Sequence, residues 1–211
     1  NANSGGAIYN YIYTENGTGA LTTTMDNNSF TDNNANSGGA IYNYIYSYQG
    51  TGLTVTGSNN SFTGNNATSG NGGAIYNYIY SYQGTGLTVT MDNSTFTGNN
   101  ATVAGGAVYT DIYSSQGTGT LTAAMNNCTF TGNNAAFTGG AICTVRTLTV
   151  HNSSFAGNSA NYGGAIYNDD GMLAVSNSTF TGNSASYNGG AIYSYIEQGD
   201  GGTLKVDNST F

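Results

Sequence analysis

The sequence predicts an all-β fold, a parallel β-helix solenoid of about seven coils. The first observation is that Gly-Gly, followed by Ala and then Ile or Val, recurs seven times in 211 residues. The second is that a Phe column and a Leu column recur in step with it. The third is that no segment has the i, i+3, i+4 apolar pattern of an amphipathic helix. A unit of roughly 25 residues is shorter than a propeller blade of about 40 and fits one coil of a solenoid.

Three apolar landmarks mark each coil and predict up to three short strands per coil. The coil spacing is 33–34 residues at first and then drops to 24–26. Stacked coils would place equal residues about 4.8 Å apart, with the apolar landmarks inside. The Gly pairs, which fit backbone with positive φ, begin at Gly5, Gly38, Gly72, Gly105, Gly139, Gly163 and Gly189. The Phe column is Phe30, Phe62, Phe96, Phe130, Phe155, Phe180 and Phe211, and the Leu column is Leu21, Leu53, Leu87, Leu121, Leu148, Leu173 and Leu204.

Asparagines mark the predicted corners in two columns. An amide can donate to and accept from the same residue one coil away, so both columns are expected to form ladders at inward corners. The first column is Asn33, Asn65, Asn99, Asn133, Asn158 and Asn183. The second is Asn27, Asn59, Asn93, Asn127, Asn152, Asn177 and Asn208.

A run of alternating tyrosines lies in Gly38–Thr56, and the whole segment recurs letter for letter at Gly72–Thr90. Alternate residues of a strand face opposite sides, so Ile41 and Ile45 oppose the tyrosines. The narrow core should take the Ile side, because buried Tyr hydroxyls need partners. The tyrosines then form columns on the outside, and Tyr193 and Tyr195 resume them in coil seven. The candidate contact surface is Tyr9, Tyr11, Tyr13, Tyr42, Tyr44, Tyr46, Tyr48, Tyr76, Tyr78, Tyr80, Tyr82, Tyr109 and Tyr113.

Two interpretations of these tyrosines are open. They are good β-formers, and the columns could serve only to stabilise the solenoid by stacking. An exposed aromatic patch also marks contact surfaces, and Tyr suits them because it is rigid and amphipathic. As a contact surface it would pack against other copies of the chain, or against host or cell-surface glycans and proteins.

The charge balance excludes several function classes. The formal net charge is −8, and Arg146 and Lys205 are the only basic residues apart from one His, which disfavours a nucleic-acid partner. No apolar run approaches the roughly 20 residues of a spanning helix, so direct membrane insertion is not expected.

The chain begins and ends within a repeat. We therefore interpret residues 1–211 as a single β-helix repeat domain, a fragment of a longer chain or a processed product.

The acidic residues do not form an enzyme-like pattern. Polysaccharide lyases and hydrolases use paired carboxylates, or calcium carboxylates with a base. In the column four residues before Phe, Asp26, Asp92 and Asp207 never occupy neighbouring coils. One His with two scattered Cys makes no zinc site. We predict no enzyme activity, no metal and no cofactor, and keep a secreted polysaccharide lyase or hydrolase as the weakest alternative.

The shortened coils five and six hold the other polar candidates. Arg146 falls on the same rung as Asp170, which predicts an ion pair between neighbouring coils. An active site built from Arg146, His151, Asp169 and Asp170 is the less favoured interpretation. Cys128 and Cys143 lie in different columns, so a disulfide and two free thiols both stay open.

The N-glycosylation pattern Asn-x-Ser/Thr precedes Phe in all seven coils. Those seven Asn form the second corner column, where an inward side chain would be inaccessible to a transferase. The better candidates for glycosylation are Asn16, Asn66 and Asn100.

Gly-Gly-Ala-Ile and Phe-x-x-Asn, in register, resemble the repeats of the polymorphic membrane proteins of chlamydiae and of adhesin-like surface proteins. Phe-x-x-Asn occurs six times, from Phe30–Asn33 to Phe180–Asn183, and the resemblance covers essentially the whole chain. It implies a right-handed β-helix, an extracellular or cell-surface location, and a role in adhesion or in building surface fibres. Together with the tyrosine columns, it predicts a structural or adhesive protein that self-associates through tyrosine-rich faces and coil ends, with a glycan-binding adhesin as the alternative.

Overall fold

The computed structural model describes residues 2–15, 21–48, 52–83, 86–116, 121–197 and 202–211. Within them the chain forms 27 strands and no helix. The strands build four parallel sheets, and each coil passes through sheets A, B, C and D in that order. The all-β parallel solenoid predicted from the repeats is confirmed.

The strands of each sheet come from successive coils. Sheet A contains β1 (Ala2–Ser4), β5 (Asn34–Ser37), β9 (Asn66–Ala67), β13 (Asn100–Ala101), β17 (Asn134–Ala135), β21 (Ser159–Tyr162) and β25 (Ser184–Asn188). Sheet B contains β2 (Ile8–Thr14), β6 (Ile41–Ser47), β10 (Ile75–Ser81), β14 (Val108–Ser114), β18 (Ile142–Val145), β22 (Ile166–Asp169) and β26 (Ile192–Tyr195). Sheet C contains β3 (Thr22–Asp26), β7 (Thr54–Ser58), β11 (Leu87–Asp92), β15 (Leu121–Asn126), β19 (Thr147–His151), β23 (Met172–Ser176) and β27 (Thr203–Asp207). Sheet D contains β4 (Ser29–Thr31), β8 (Ser61–Thr63), β12 (Thr95–Thr97), β16 (Thr129–Thr131), β20 (Ser154–Ala156) and β24 (Thr179–Thr181).

The coil count and the strand count differ slightly from those predicted. Seven copies of the repeat are separated by six steps, so the solenoid has about six turns between its first and last equivalent positions. Coils one to six have four strands each rather than up to three, and coil seven has three. The additional strand is that of sheet A, often only two residues long, as in Asn66–Ala67 and Asn100–Ala101. It carries no large apolar landmark.

Equal residues pair across neighbouring coils throughout the core. Ile41 pairs with Ile75 in sheet B, and Phe62 pairs with Phe96 in sheet D. The Phe rings form one continuous stack from Phe30 to Phe211, with centroids 4.7–4.9 Å apart. From Phe30 to Phe180 the stack lies in a buried cluster with the Leu, Val, Met and Ile side chains of sheets B and C, and the last ring, Phe211, is exposed. Burial of these side chains is the main force that holds the coils together.

The first Asn column forms the predicted ladder at the corner between sheets D and A. The Asn65 amide nitrogen donates to Asn99 Oδ1 in the next coil at 2.9 Å and to the Phe30 carbonyl in the previous coil at 3.0 Å. Asn99 Oδ1 also accepts the backbone N–H of Asn65 at 3.0 Å. The pattern repeats at Asn133 and Asn158, so the corner's buried polar groups are paired.

The second Asn column was predicted to face inward, and that prediction is wrong. All seven residues are exposed and have φ between 45° and 59°. The corner between sheets C and D needs a left-handed residue, which Asn tolerates better than most other non-glycine residues. The amide ladder there is partial. It joins Asn59 to Asn27 at 3.3 Å and Asn152 to Asn127 at 2.6 Å.

The Gly-Gly pair has two different roles, shown by Gly105 and Gly106. Gly105 has φ of 64°, as predicted for this motif. Gly106 has no positive φ, but a Cβ there would overlap the Gly140 carbonyl oxygen and the Asn134 backbone. The second glycine therefore permits close backbone contact between coils.

Among the described residues, none forms a helix long and apolar enough to cross a membrane.

Candidate functional site: the tyrosine wall

Sheet B places the tyrosines on the outside, as predicted. In β6 burial alternates residue by residue, with Ile41 and Ile45 fully buried and the tyrosines between them partly exposed. Asn43 and Ser47 are also buried on the inner face. Asn43 donates its amide to Asn77 Oδ1 at 2.8 Å, so this face has its own short polar ladder.

The outward tyrosines of coils one to four form the surface that we call the tyrosine wall. The structure brings all thirteen candidate residues into axial columns with ring centroids 4.6–5.5 Å apart. The columns are Tyr9/Tyr42/Tyr76/Tyr109, Tyr11/Tyr44/Tyr78, Tyr13/Tyr46/Tyr80/Tyr113 and Tyr48/Tyr82.

Ring stacking determines which parts of the wall a partner can reach. Tyr44 lies between Tyr11 and Tyr78, at 5.3 and 5.2 Å with interplanar angles of 8° and 19°. Such rings cover each other's faces, so the wall presents mainly ring edges and hydroxyls. Some hydroxyls are bonded locally. Tyr13 donates to Glu15 at 3.0 Å, and Tyr80 donates to Ser115 Oγ at 3.3 Å.

The innermost column is the most deeply packed. Burial, followed by the neighbouring Tyr42, raises the pKa of Tyr76 well above its usual range. Burial also raises the pKa of Tyr109, with Cys143 and Asp111 adding to the effect. These phenols therefore stay neutral in any ordinary buffer, and the wall adds no charge of its own.

The middle column of the wall, Tyr11/Tyr44/Tyr78, ends at an acidic residue in coil four. The wall strands of coils one to three, β2, β6 and β10, contain no charged residue. In β14 the register places Asp111 against Tyr78, at the end of that column. Burial raises the pKa of Asp111, while the Arg146 guanidinium lowers it.

The predicted ion pair between Arg146 and Asp170 is not present. The two residues share a rung, because the Arg146 N–H donates to the Asp170 carbonyl at 2.9 Å. The Arg146 side chain, however, lies over the Tyr113 ring at 5.7 Å. Asp170 Oδ1 instead accepts the Glu197 N–H at 2.7 Å. Both Arg146 and Asp170 have positive φ, and the exposed Tyr113 ring one coil away gives the guanidinium a cation–π partner.

The polar residues of the short coils do not converge on one site. His151 ends a strand of sheet C, with Nδ1 3.0 Å from Ser176 Oγ. Asp169 ends a strand of sheet B, and burial, followed by Asp170, raises its pKa. No group of three His, Cys, Asp or Glu residues in the described part of the chain could hold a metal ion.

The two cysteines are free and buried. Burial raises the pKa of Cys128 to about 11 and that of Cys143 to about 12. Cys143 pairs with Tyr109 and with Tyr167, so it occupies a tyrosine position in the innermost column. Sequence reasoning missed that this column resumes at Tyr167, although Gly-Gly-Ala-Ile-Tyr recurs there.

Two of the glycosylation candidates lie in a ladder on the outer side of sheet A. Asn100 donates its amide to Asn66 Oδ1 at 2.9 Å and accepts from Asn134 at 2.8 Å. The nitrogen that would carry a glycan is thus already bonded at Asn100. Asn16 lies outside the described residues. Glycosylation at Asn16, Asn66 and Asn100 stays a prediction.

The comparisons with known proteins identify the repeat. Five segments match the Chlamydia polymorphic membrane protein repeat, at residues 29–44, 93–111, 127–145, 152–169 and 177–195. These five segments are similar to polymorphic membrane protein repeats. Each match runs from the Phe corner through sheet A into sheet B. Repeats of this kind indicate a surface protein of the adhesin type. Neither the comparison with curated proteins nor that with solved structures gives a match.

Proposed function

We propose that this chain is a non-catalytic adhesive protein of the cell surface, whose tyrosine wall packs against the wall of a second copy. The observation that carries the proposal is the uncharged array of outward Tyr columns on coils one to three. A second copy has the same coil period, so the columns of two walls can interdigitate along their whole length. Tyr loses few rotamers on binding, which favours such a contact.

The charge distribution supports this choice of partner. With a net charge of −8, two copies repel each other over most of their surfaces. The wall strands of coils one to three are themselves free of charge, and one carboxylate, Glu15, follows the first of them and accepts from Tyr13. The acidic residues Asp26 and Asp92 lie at the ends of sheet C strands. Sheet B of these coils is therefore a surface on which copies can approach with little electrostatic cost.

Glycan binding is less well supported by the geometry. Sugars pack on exposed aromatic ring faces, and the faces of Tyr44 and Tyr46 are covered by the next rings in their columns. Association of copies end to end through the coil ends stays a prediction.

Sedimentation velocity over a range of concentrations tests the proposal. The wild-type chain should associate as concentration rises. Tyr44→Thr with Tyr78→Thr removes two of the three rings of one column and keeps a good β-former at both positions. We expect association on the order of tenfold weaker or more, since each 1.4 kcal/mol lost is tenfold.

The matched control removes two tyrosines outside the wall, Tyr162→Thr with Tyr187→Thr, and should associate like the wild type. A wild-type chain that stays monomeric at all concentrations would contradict self-association. If that monomer binds a glycan array and the Tyr44/Tyr78 variant does not, the wall serves the glycan-binding alternative.

A further inference from the structure

The wall also has a chemical property that does not depend on any partner. Phenol rings are held in van der Waals stacks, and neighbouring rings of a column come from coils 33 or 34 residues apart, as in Tyr11–Tyr44 and Tyr44–Tyr78. Neighbours along one strand are farther apart, with Tyr9 and Tyr11 at 6.4 Å. Each phenol's nearest phenol is therefore in the next coil.

Few side chains other than tyrosine compete for an oxidant. The chain has no Trp. Cys128 and Cys143 are buried, and so are three of the four methionines, which leaves Met172 as the exposed one. In the described part of the chain, oxidising equivalents arriving from solvent thus meet mainly tyrosine.

We propose that the tyrosine wall is a site of oxidative tyrosine–tyrosine coupling between neighbouring coils, with hydrogen peroxide and a haem peroxidase as the oxidant. Two stacked phenols each lose one electron and one proton and become phenoxyl radicals. A carbon–carbon bond forms between the ring carbons ortho to the oxygens, and the two displaced ring hydrogens return to the oxygens. The peroxide accepts the two electrons and two protons and becomes two molecules of water.

Stacking favours coupling within a column over coupling between molecules. The partner ring is already at about van der Waals distance, so its effective concentration far exceeds that of a second chain in dilute solution. A ring oxidised at one position can also take an electron from the next ring in its column. The radical can therefore migrate until it meets a second one, for example along Tyr13, Tyr46 and Tyr80.

The columns should differ in reactivity. Tyr9, Tyr11 and Tyr13 are each at least half exposed, and the columns that they begin are open to a small oxidant. In coils three and four the innermost column is more buried, and burial raises the pKa of Tyr76 and Tyr109. Loss of a proton accompanies oxidation, so coupling should be slowest at that pair.

Each coupled pair would join two coils covalently on the outside of sheet B. A cross-link between residues 33 or 34 apart restricts the unfolded chain, so the cross-linked protein should resist denaturant better. This inference is independent of the proposed self-association, because it concerns pairs within one chain.

The experiment treats a dilute solution of the chain, residues 1–211, with peroxide and peroxidase, and then measures dityrosine by fluorescence and by mass spectrometry after hydrolysis. Tyr→Phe at Tyr42, Tyr44, Tyr46 and Tyr48 interrupts the columns of coils one to three while keeping their packing. The matched control replaces four tyrosines outside the wall, Tyr162, Tyr187, Tyr193 and Tyr195, by Phe. Circular dichroism checks that all proteins keep their β structure.

We expect dityrosine in the monomer band, with a yield independent of protein concentration. The coil-two variant should lose most of it, and the control variant should keep most of it. Equal yields in the two variants would overturn the proposal. Dityrosine found only in covalent dimers, with a yield that rises with concentration, would also overturn it, whether or not the chain self-associates by sedimentation.

Discussion

Coils one to four and coils five to six share one interior but differ on the outside. In the first group the strands of sheet B have seven residues, and in the second group they have four. The inner Asn ladder crosses this step without change, at 2.9 Å from Asn99 to Asn133 and 3.0 Å from Asn133 to Asn158. The Phe stack is equally continuous. The interior of a coil is therefore the same in both groups, and the length of the outer sheet B strand varies independently of it.

The largest expected loss of stability comes from a substitution in the interior that both groups of coils share. Gly106→Ala would drive a Cβ into the Gly140 carbonyl oxygen and the Asn134 backbone, which separates coils four and five. We expect a loss of about 4 kcal/mol or more of unfolding free energy, measured by urea denaturation. The control is Gly132→Ala, where a Cβ has open space and only the positive φ of 61° is strained, at about 1–2 kcal/mol. Equal losses at the two sites would contradict the close-contact role of Gly106.

The inner ladder should be equally important in both regions. Asn99→Leu leaves the Phe62 carbonyl and the Asn65 backbone N–H without their side-chain partner, and Asn133 Oδ1 keeps only the backbone N–H of residue 99. We expect a loss of about 3 kcal/mol, because buried polar groups become unsatisfied. Asn158→Leu, within the short coils, should cost a similar amount in the same urea titration. A much smaller loss of unfolding free energy for Asn158→Leu would show that the short coils depend less on the Asn ladder for their stability.

Alkaline pH should reveal the buried thiols. An unfolded chain releases thiol protons near the ordinary pKa of 9.0, whereas the folded chain keeps them until about 11 at Cys128 and about 12 at Cys143. The folded state therefore binds more protons in this window, and stability falls as pH rises from about 9 towards 12. The urea midpoint should decline over this range. The variant Cys128→Ala with Cys143→Ala should show a shallower decline, and an unchanged slope would count against the thiols.

The smallest expected effect comes from lengthening the middle column of the wall by one ring. Asp111→Tyr would continue the column of Tyr11, Tyr44 and Tyr78 into coil four. A stacked ring would replace a partly buried carboxylate whose pKa is raised by burial, so we expect a gain of about 0.5 kcal/mol. The matched variant is Asp111→Asn, which removes the charge without adding a ring. If Asp111→Asn gains as much, the benefit comes from removing charge rather than from stacking.

Much of this architecture could be predicted from the sequence, because equal residues at equal spacing must stack in a solenoid. The inward Ile41 and outward Tyr42 followed from strand alternation alone. The direction of a corner residue did not follow, because a repeated Asn is compatible with an inward ladder and with an exposed left-handed turn. Asn33 and Asn27 illustrate the two outcomes. The position of the Arg146 side chain depended on an aromatic neighbour in another coil, which register alone does not indicate.

The identity of Gly38–Thr56 and Gly72–Thr90 has a consequence for how the growing chain finds its alignment. Either segment can pair with the same neighbouring coil through the same contacts. During folding, a coil can therefore pair with the wrong neighbour, shifted by one coil, without losing any of these contacts. The shorter repeat that begins at Gly139 removes this freedom, because a coil of 24 residues cannot stand in for one of 34 without displacing the phenylalanines. The shortened coils thus fix the register in which the coils stack. Lengthening them to match the others should produce slowly refolding, misaligned species.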